Sequence, residues 1–356
     1  MKNGIIKSKR TRKRNVVGLG ALVVFSLILL VLLISAGALF LKISSPAFET
    51  DEITYIYIDE KKDYEDILLR LESQSNIKDI RLFKYLSSIM KYPQNIKTGK
   101  YEINPQMNYI ELVRMLRNGN QIPVSLTFNN IRFKKDLAER IGSQLMIGYE
   151  IILDKLNQQE VCQSLGFDTT TISCMFIPNT YEVYWTISVT QFLERMKKEY
   201  DRFWTSERLG KAREISLSPV EVSVLASIVE EETADYSEYP IVAGLYINRL
   251  RKGWLLQADP TVKFAMGDFK LQRILKAHLE IDSPYNTYKN SGLPPGPIRI
   301  PSILGVDAVL NHSRHNYMFM VAKDDFSGKH NFSITLSEHN RNANKYWEAL
   351  NRNNIR

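Results

Sequence analysis

SPVEVSVLASIVEEET, residues 218–233, is the most informative stretch of this sequence, because it predicts a helix with a clear N-terminal cap and three adjacent glutamates at its C-terminal end. Ser218 is a typical N-cap, Pro219 suits the first helical position, and Glu221 can reach back to the backbone of the cap. Apolar residues then recur at helical spacing and form a stripe along one side. The stretch therefore predicts an amphipathic helix that ends in three adjacent acids.

Helical phase separates these three glutamates, which composition alone would treat alike. At about 100° per residue, Glu232 falls within about 60° of the apolar residues Leu225 and Val229, whereas Glu230 points about 160° away and Glu231 about 100° away. A run of glutamates is by itself typical of a solvated helix end. On the apolar side, however, desolvation raises the pKa of a carboxyl group, and a protonated carboxylic acid is what donates a proton to a glycosidic oxygen. Glu232 is therefore the candidate general acid.

Residues 256–262 form a polar turn between apolar residues, and two later loops, residues 283–288 and 292–297, are dense in hydroxyl, amide and aromatic groups. Such groups suit a sugar, because aromatic faces cover its C–H faces and amides bind its hydroxyls. Ordinary turn chemistry explains each loop equally well when it is taken alone. The candidate substrate-binding residues of the chain are Gln257, Asp259, Thr261, Tyr285, Asn286, Tyr288, His330 and Asn340.

The N-terminus predicts a short cytoplasmic tail and a membrane anchor. Residues 1–15 are basic and contain no acid, and residues 16–41 contain no charge. A helix of that second length reaches about 39 Å, enough for a hydrocarbon core of about 30 Å. The positive-inside bias then places the rest of the chain outside the cytoplasm. A cleaved signal peptide is the alternative, since residues 36–38 offer a small-residue site, but the apolar run is longer than the usual 7–15 or so residues.

Charge and composition exclude several classes of function. The net charge of +8 comes almost wholly from seven basic residues among the first fourteen, which leaves 40 basic and 39 acidic residues in the rest of the chain. A nucleic-acid-binding protein would be expected to cluster basic residues on its folded body, so no nucleic-acid partner is predicted. The five histidines form no recognisable ligand set, and no nucleotide-binding or hydrolase motif is present, so we expect neither a metal nor a cofactor.

The region beyond the anchor predicts two α+β domains. Residues 42–125 form the smaller one, with a strand at 53–58, helices capped by Asp63 and Asp79, and a later helix that opens with a capping box. Residues 126–350 form the larger one, which is mostly helical up to a loop around 174–181 and has a polar internal boundary at 206–217. Its two cysteines, Cys162 and Cys174, suit one disulfide or two buried thiols equally well.

The sequence resembles a known family, the endolytic murein transglycosylases (MltG/YceG-like), through motifs in a fixed order. LASIVEEET at 225–233 is similar to the ASIVEKET helix of that family. The other matching motifs are residues 247–250, 256–262, 283–288, 292–296, 317–322, 330–332 and 338–340. Residues 97–103 resemble the N-terminal LysM-like module of the family. The resemblance covers nearly the whole chain.

The resemblance implies a single-pass enzyme of the cell (inner or cytoplasmic) membrane, with its catalytic domain outside the cytoplasm. Such a lyase cleaves the β-1,4 bond between N-acetylmuramic acid and N-acetylglucosamine within nascent peptidoglycan strands, leaves 1,6-anhydromuramyl ends and can terminate glycan elongation. It implies peptidoglycan, the membrane and peptidoglycan synthases as partners. The catalytic glutamate of the family falls on Glu232, the residue that helical phase also selects, and Glu230 is a candidate auxiliary residue.

This chain departs from the family pattern at two positions. Glu231 stands where the family has lysine, which removes a positive charge beside Glu232 and favours a raised pKa there. Asn179 stands where the family usually has aspartate, so an acidic role for that loop is in doubt. Two other functions fit the residues. One is a catalytically silent, membrane-anchored scaffold that binds peptidoglycan, and the other is a muramidase that hydrolyses the same bond.

Overall fold

The computed structural model describes residues 11–129, 131–271 and 274–353. The chain divides into two compact units, residues 1–123 and 124–356, whereas the sequence places the boundary after residue 125. The predicted basic tail, residues 1–15, lies mostly outside the described residues.

The first unit combines one long N-terminal helix with a small α+β body. Its elements are α1 (Thr11–Ser44), β1 (Thr54–Ile58), α2 (Tyr64–Ser73), α3 (Ile80–Ile89), β2 (Gly99–Ile103) and α4 (Tyr109–Asn118). Strands β1 and β2 pair antiparallel, with Thr54 opposite Ile103. The predicted capping box at the start of α4 is confirmed, since Asn108 and Glu111 bind each other's backbone N–H groups.

Helix α1 is long and apolar enough to cross a membrane. The segment Gly20–Ser44 contains a window with a mean hydropathy of 2.9, and none of that window is buried against the protein. Most of the predicted span, residues 16–41, falls within this segment. A helix of this composition exposes an apolar surface that only a membrane or a partner would cover.

The second unit carries the larger core and confirms the α+β class. Its elements are β3 (Pro123–Phe128, which begins at the boundary), α5 (Lys134–Gly142), α6 (Tyr149–Asn157), α7 (Gln159–Ser164), β4 (Asn179–Tyr184), α8 (Val189–Phe203), α9 (Ser206–Glu214), α10 (Pro219–Glu232), α11 (Tyr239–Arg251), α12 (Asp259–Met266), α13 (Ile303–Leu310), β5 (Phe319–Ala322), β6 (His330–Ser333) and α14 (Leu336–Arg352). Strand β3 pairs with β4, and β5 pairs antiparallel with β6.

Helix α10 lies at the centre of this unit and packs against α9, α11, α12 and α13. It begins with the predicted capping box, in which Ser218 accepts from the N–H of Glu221 and Glu221 accepts from the N–H of Ser218. Every residue from 222 to 230 is buried. The helix is therefore covered on all sides along residues 222–230, and the prediction that it is amphipathic is wrong. Ser223 and Ser227 fit inside because their hydroxyls donate to backbone carbonyls of the same helix.

Two segments of this unit differ from the sequence-based expectation. Part of the predicted loop at 174–181 belongs to strand β4, whose alternate residues Tyr181 and Val183 are buried while their neighbours are exposed. Buried and exposed residues alternate clearly along β4, but this pattern covers only six residues next to Pro178. It was therefore too short to predict a strand from the sequence. The predicted polar boundary at 206–217 is mostly helix α9, which begins after the cap Thr205. Cys162 and Cys174 are both free and buried.

A segment without regular structure, residues 311–318, is fixed against α11 by hydrogen bonds. The N–H of Ser313 donates to the Pro240 carbonyl (2.9 Å), and the side-chain amide of Asn248 donates to the carbonyls of His315 and Tyr317 (2.8 and 3.1 Å). The chain comes this close because position 244 of α11 is glycine. We name residues 311–318 the α11 strap.

Gly244→Ala tests this close approach. An added Cβ would collide with the carbonyl oxygen of Ser313 and lie 2.8 Å from the ring of His315. We expect the free energy of unfolding to fall by roughly 1–3 kcal/mol in urea denaturation. Gly210→Ala in α9 is the matched control, because its nearest neighbour lies 3.9 Å away and alanine favours a helix by about 0.5–1 kcal/mol. Equal stability of the two variants would contradict the prediction.

Candidate active site

Glu232 is the last residue of α10, and its carboxylate accepts a hydrogen bond from the hydroxyl of Tyr246 on α11 (2.5 Å). The residue as a whole is half-buried, and its carboxyl group is the desolvated part. Burial is the main cause that raises the pKa of Glu232 to about 7. The Tyr246 hydroxyl lowers this pKa and the charge of Asp259 raises it. The site therefore holds a carboxyl group that can both give and take a proton near neutral pH.

Tyr246 remains a hydrogen-bond donor throughout the physiological range. The side chain is buried, and both burial and the adjacent carboxylate of Glu232 hold the pKa of its hydroxyl well above the ordinary value of 10. Arg249, three residues further along α11, is also buried and donates to the backbone carbonyls of Met318 (2.9 Å) and Leu256. Its charge lowers the pKa of Glu232, which offsets part of the effect of burial.

A second carboxylate, that of Asp259, lies near Glu232 at the start of α12. Asp259 is exposed and accepts a hydrogen bond from the hydroxyl of Tyr288 (2.5 Å). Burial and this hydrogen bond raise the pKa of Tyr288, so it stays protonated. The chain therefore places two acid–tyrosine pairs in one neighbourhood, one enclosed and one open to solvent.

Thr287 joins the loop at 283–288 to the turn at 256–262, and both segments carry predicted substrate-binding residues. Its hydroxyl oxygen accepts from the N–H of Ala258 (3.0 Å) and bonds to the hydroxyl of Thr261 (2.9 Å), and its carbonyl accepts from the N–H of Gln257 (3.0 Å). Gln257 has φ of 51° and an exposed side chain. The loops thus form one rigid wall that presents Gln257 and Asp259 to solvent and keeps Thr261 inside.

The other predicted substrate-binding residues fall into different environments. Asn286 is fully buried, and its side-chain amide donates hydrogen bonds to the carbonyls of Leu279 and Ile281. It therefore stabilises its own loop. Tyr285 packs on Phe264 with ring centroids 4.7 Å apart. Asn340 is exposed on α14.

His330 belongs to a buried network just beyond Glu232. Its backbone N–H and Nδ1 contact the carboxylate of Glu238 (2.8 and 2.7 Å), which also accepts from the hydroxyl of Thr233 (3.0 Å). Thr233 is the C-cap of α10. Glu238 therefore fixes both the end of α10 and the start of β6, and no sequence pattern selected it.

Glu230 and Glu231, the neighbours of Glu232, are both held in ion pairs. Glu230 is buried, lies 3.3 Å from Arg299 and accepts from the backbone N–H of Ser302 (2.8 Å) and from its hydroxyl. Glu231 receives two hydrogen bonds from Arg132 (2.6 and 2.7 Å) and one from Arg299 (3.0 Å). Both are thus committed to joining α10 to neighbouring segments. Glu231, which stands where the resembled family has lysine, therefore contacts two arginines.

Sequence reasoning missed Tyr246 and Arg249, although it predicted the helix that carries both. Two residues at spacing three on one helix share a face, and this could have paired them with the acid of the preceding helix. Tyr246 stands outside the matching motifs, and Arg249 lies in one of them, residues 247–250, to which the sequence assigns no chemistry. Among the described residues, no group of His, Cys, Asp and Glu is arranged to hold a metal ion.

Comparison with known proteins identifies the family. The model of the YceG-like family matches residues 56–345. An endolytic murein transglycosylase of Bacillus subtilis is 28% identical over 79% of this chain and 81% of its own length. Its counterpart in Streptococcus pneumoniae is 24% identical over 80% of this chain, which spans only 57% of that relative. The crystal structure of a YceG-like protein from Listeria monocytogenes is 27% identical, with a TM-score of 0.51 over 82% of this chain and 99% of that one. The chain belongs to the YceG-like family.

Proposed function

We propose that this protein is an endolytic murein transglycosylase, a lyase that cleaves peptidoglycan strands between N-acetylmuramic acid and N-acetylglucosamine. The observation that carries the proposal is the enclosed Glu232, whose pKa of about 7 suits an acid that later acts as a base. Family membership and the names of the relatives in Bacillus and Streptococcus support the same activity.

In the first step, protonated Glu232 donates to the glycosidic oxygen as the bond from C1 of the muramic acid to that oxygen breaks. The hydrogen bond from Tyr246 aims the carboxyl group and stabilises the carboxylate that forms. The 2-acetamido group of the muramic acid assists at C1, where ordinary glycosidases use a second carboxylate.

In the second step, Glu232 removes the proton from the C6 hydroxyl of the same sugar, and the C6 oxygen attacks C1 and displaces the acetamido oxygen that bonded there in the first step. The new C–O bond closes the 1,6-anhydro ring, and Glu232 regains its proton. Water is not consumed, so the reaction is an intramolecular transglycosylation rather than a hydrolysis. Gln257 and Asp259, both exposed on the loop wall, are the residues we assign to binding the strand.

The rest of the chain suits an enzyme held at the membrane beside its substrate. We infer that α1 anchors the protein with its basic N-terminus in the cytoplasm and the catalytic unit outside. The body of the first unit, with two helices between antiparallel strands, is proposed as a LysM-like module that contacts glycan. Peptidoglycan synthases, which make the strand, are the expected protein partners.

Mass spectrometry of peptidoglycan digested by the full-length protein in detergent tests the activity. We expect internal fragments with 1,6-anhydromuramyl ends from the wild type and none from Glu232→Gln. Glu231→Gln is the matched control from the same turn of α10 and should give the wild-type products. Reducing ends would identify a muramidase, and binding without cleavage by the wild type would identify a scaffold; either result overturns the proposal.

Tyr246→Phe tests the control of the acid. Losing the hydroxyl removes a hydrogen bond that lowers the pKa of Glu232, so the pKa rises and the basic limb of the kcat/KM–pH profile moves to higher pH. The misaimed carboxyl group should also cost about tenfold in kcat. Tyr239→Phe, on the same helix, should leave the limb in place. A profile unchanged in Tyr246→Phe would refute this role.

Stability against pH gives a second, activity-free test of Glu232. Its folded pKa of about 7 exceeds the ordinary 4.5, so the folded state binds the extra proton between these values and wild-type stability falls as the pH rises through them. Glu232→Gln carries no such charge. We expect equal stability of the two proteins near pH 4, and an advantage of up to about 3 kcal/mol for the variant at pH 8, by chemical denaturation. An advantage independent of pH would contradict the assignment.

A further inference from the structure

A cavity of about 570 Å³ opens in the second unit on the side of α11 that faces away from Glu232. Its lining residues are Glu214, Ile215, Asn248, Arg251, His312, Ser313, Arg314, His315 and Asn316. On α11, Asn248 and Arg251 lie about 140–160° around the helix from Tyr246, which faces Glu232. The cavity is therefore separate from the candidate active site, and its volume is in the range of small-ligand pockets.

The α11 strap forms one wall of this cavity and is tied to α11 by hydrogen bonds. Both ring nitrogens of His315 are used, because Nδ1 accepts from the N–H of Tyr317 (3.1 Å) and Nε2 donates to the carbonyl of Ile241 (2.9 Å). Asn248 binds two further carbonyls of the strap, as described above. Arg314 thus projects from a fixed backbone, and a ligand that it binds would pay little to order the site.

The charged groups of the cavity are unbalanced. Arg251 and Arg314 are exposed, and within the described residues neither guanidinium makes an ion pair or a hydrogen bond. Glu214 is the one acid among the described lining residues. Burial is the main cause that lowers the pKa of the His312 ring; the charges of Arg251 and Arg314 lower it further, and the Val309 carbonyl raises it. The cavity is therefore lined by two guanidinium groups without an ion-pair partner among the described residues and by one imidazole ring whose pKa is lowered.

We propose that this cavity binds an oxyanion, the phosphate or carboxylate group of a small ligand or of a polymer side group. Guanidinium groups bind both kinds of oxyanion through paired N–H donors, and Arg251 on α11 and Arg314 on the α11 strap both line this cavity. Ser313 and Asn316 add a hydroxyl and an amide for the neutral part of the ligand. This binding is independent of the reaction at Glu232.

Thermal unfolding of the full-length protein in uncharged detergent tests the site. Chloride is replaced by inorganic phosphate, or in a second series by acetate, at constant ionic strength. Phosphate stabilises many proteins without binding, so the informative quantity is the difference in Tm shift between the wild type and Arg251→Gln/Arg314→Gln. The matched control is Arg140→Gln, which removes an exposed arginine from α5 of the same unit.

We expect the wild type and Arg140→Gln to gain the same Tm shift, and the double variant to need at least about tenfold more anion for an equal shift. A shift with phosphate alone assigns a phosphate ester as the ligand, and a shift with both anions admits the carboxylate of a peptide. Equal shifts in the wild type and the double variant, or no shift in the wild type, would overturn the proposal.

Discussion

The hydrogen bond from Tyr246 to Glu232 is the interaction on which the rest of this structure depends. It joins the end of α10 to α11, and it gives the buried carboxylate a hydrogen-bond donor in place of the water that burial excludes. Opposing effects act on the pKa of a carboxyl group in such a site. Desolvation favours its neutral form, while the hydroxyl and the charge of Arg249 favour the ionised one. Their balance leaves the proton easily moved in either direction.

The three glutamates at the end of α10 show how neighbours of identical chemistry come to serve different purposes. All three lie at the negative end of the helix dipole, where acids are disfavoured. Glu230 and Glu231 are compensated by Arg132 and Arg299, and these ion pairs hold the helix to the chain around it. Glu232 has a hydroxyl partner in place of a cation. Burial raises the pKa of Glu232 to about 7, so this carboxyl group can hold a proton near neutral pH.

Sequence patterns predicted the helices, their caps and the α+β class, because these depend on local spacing and on single residues such as Ser218 and Asn108. They failed where tertiary packing decides. Helix α10 is covered on every side, so helical phase could not say that Glu230 is more buried than Glu232. The loop residue Asn286 reads like a sugar-binding amide but is consumed by its own backbone. Tyr246 was not selected, because its hydrogen bond to Glu232 forms only when α11 packs against α10.

The close fit of Glu230 against α13 has a consequence for how this sequence can change over time. Its carboxylate occupies the space that a side chain at Gly305 would need, and it binds the N-cap Ser302 of the same helix. A larger residue at 305 is acceptable only if the acid at 230 is shortened or lost, and the acid can be kept only beside glycine. The two positions are thus expected to vary together among related proteins, as a coupled pair 75 residues apart whose covariation records packing and not catalysis.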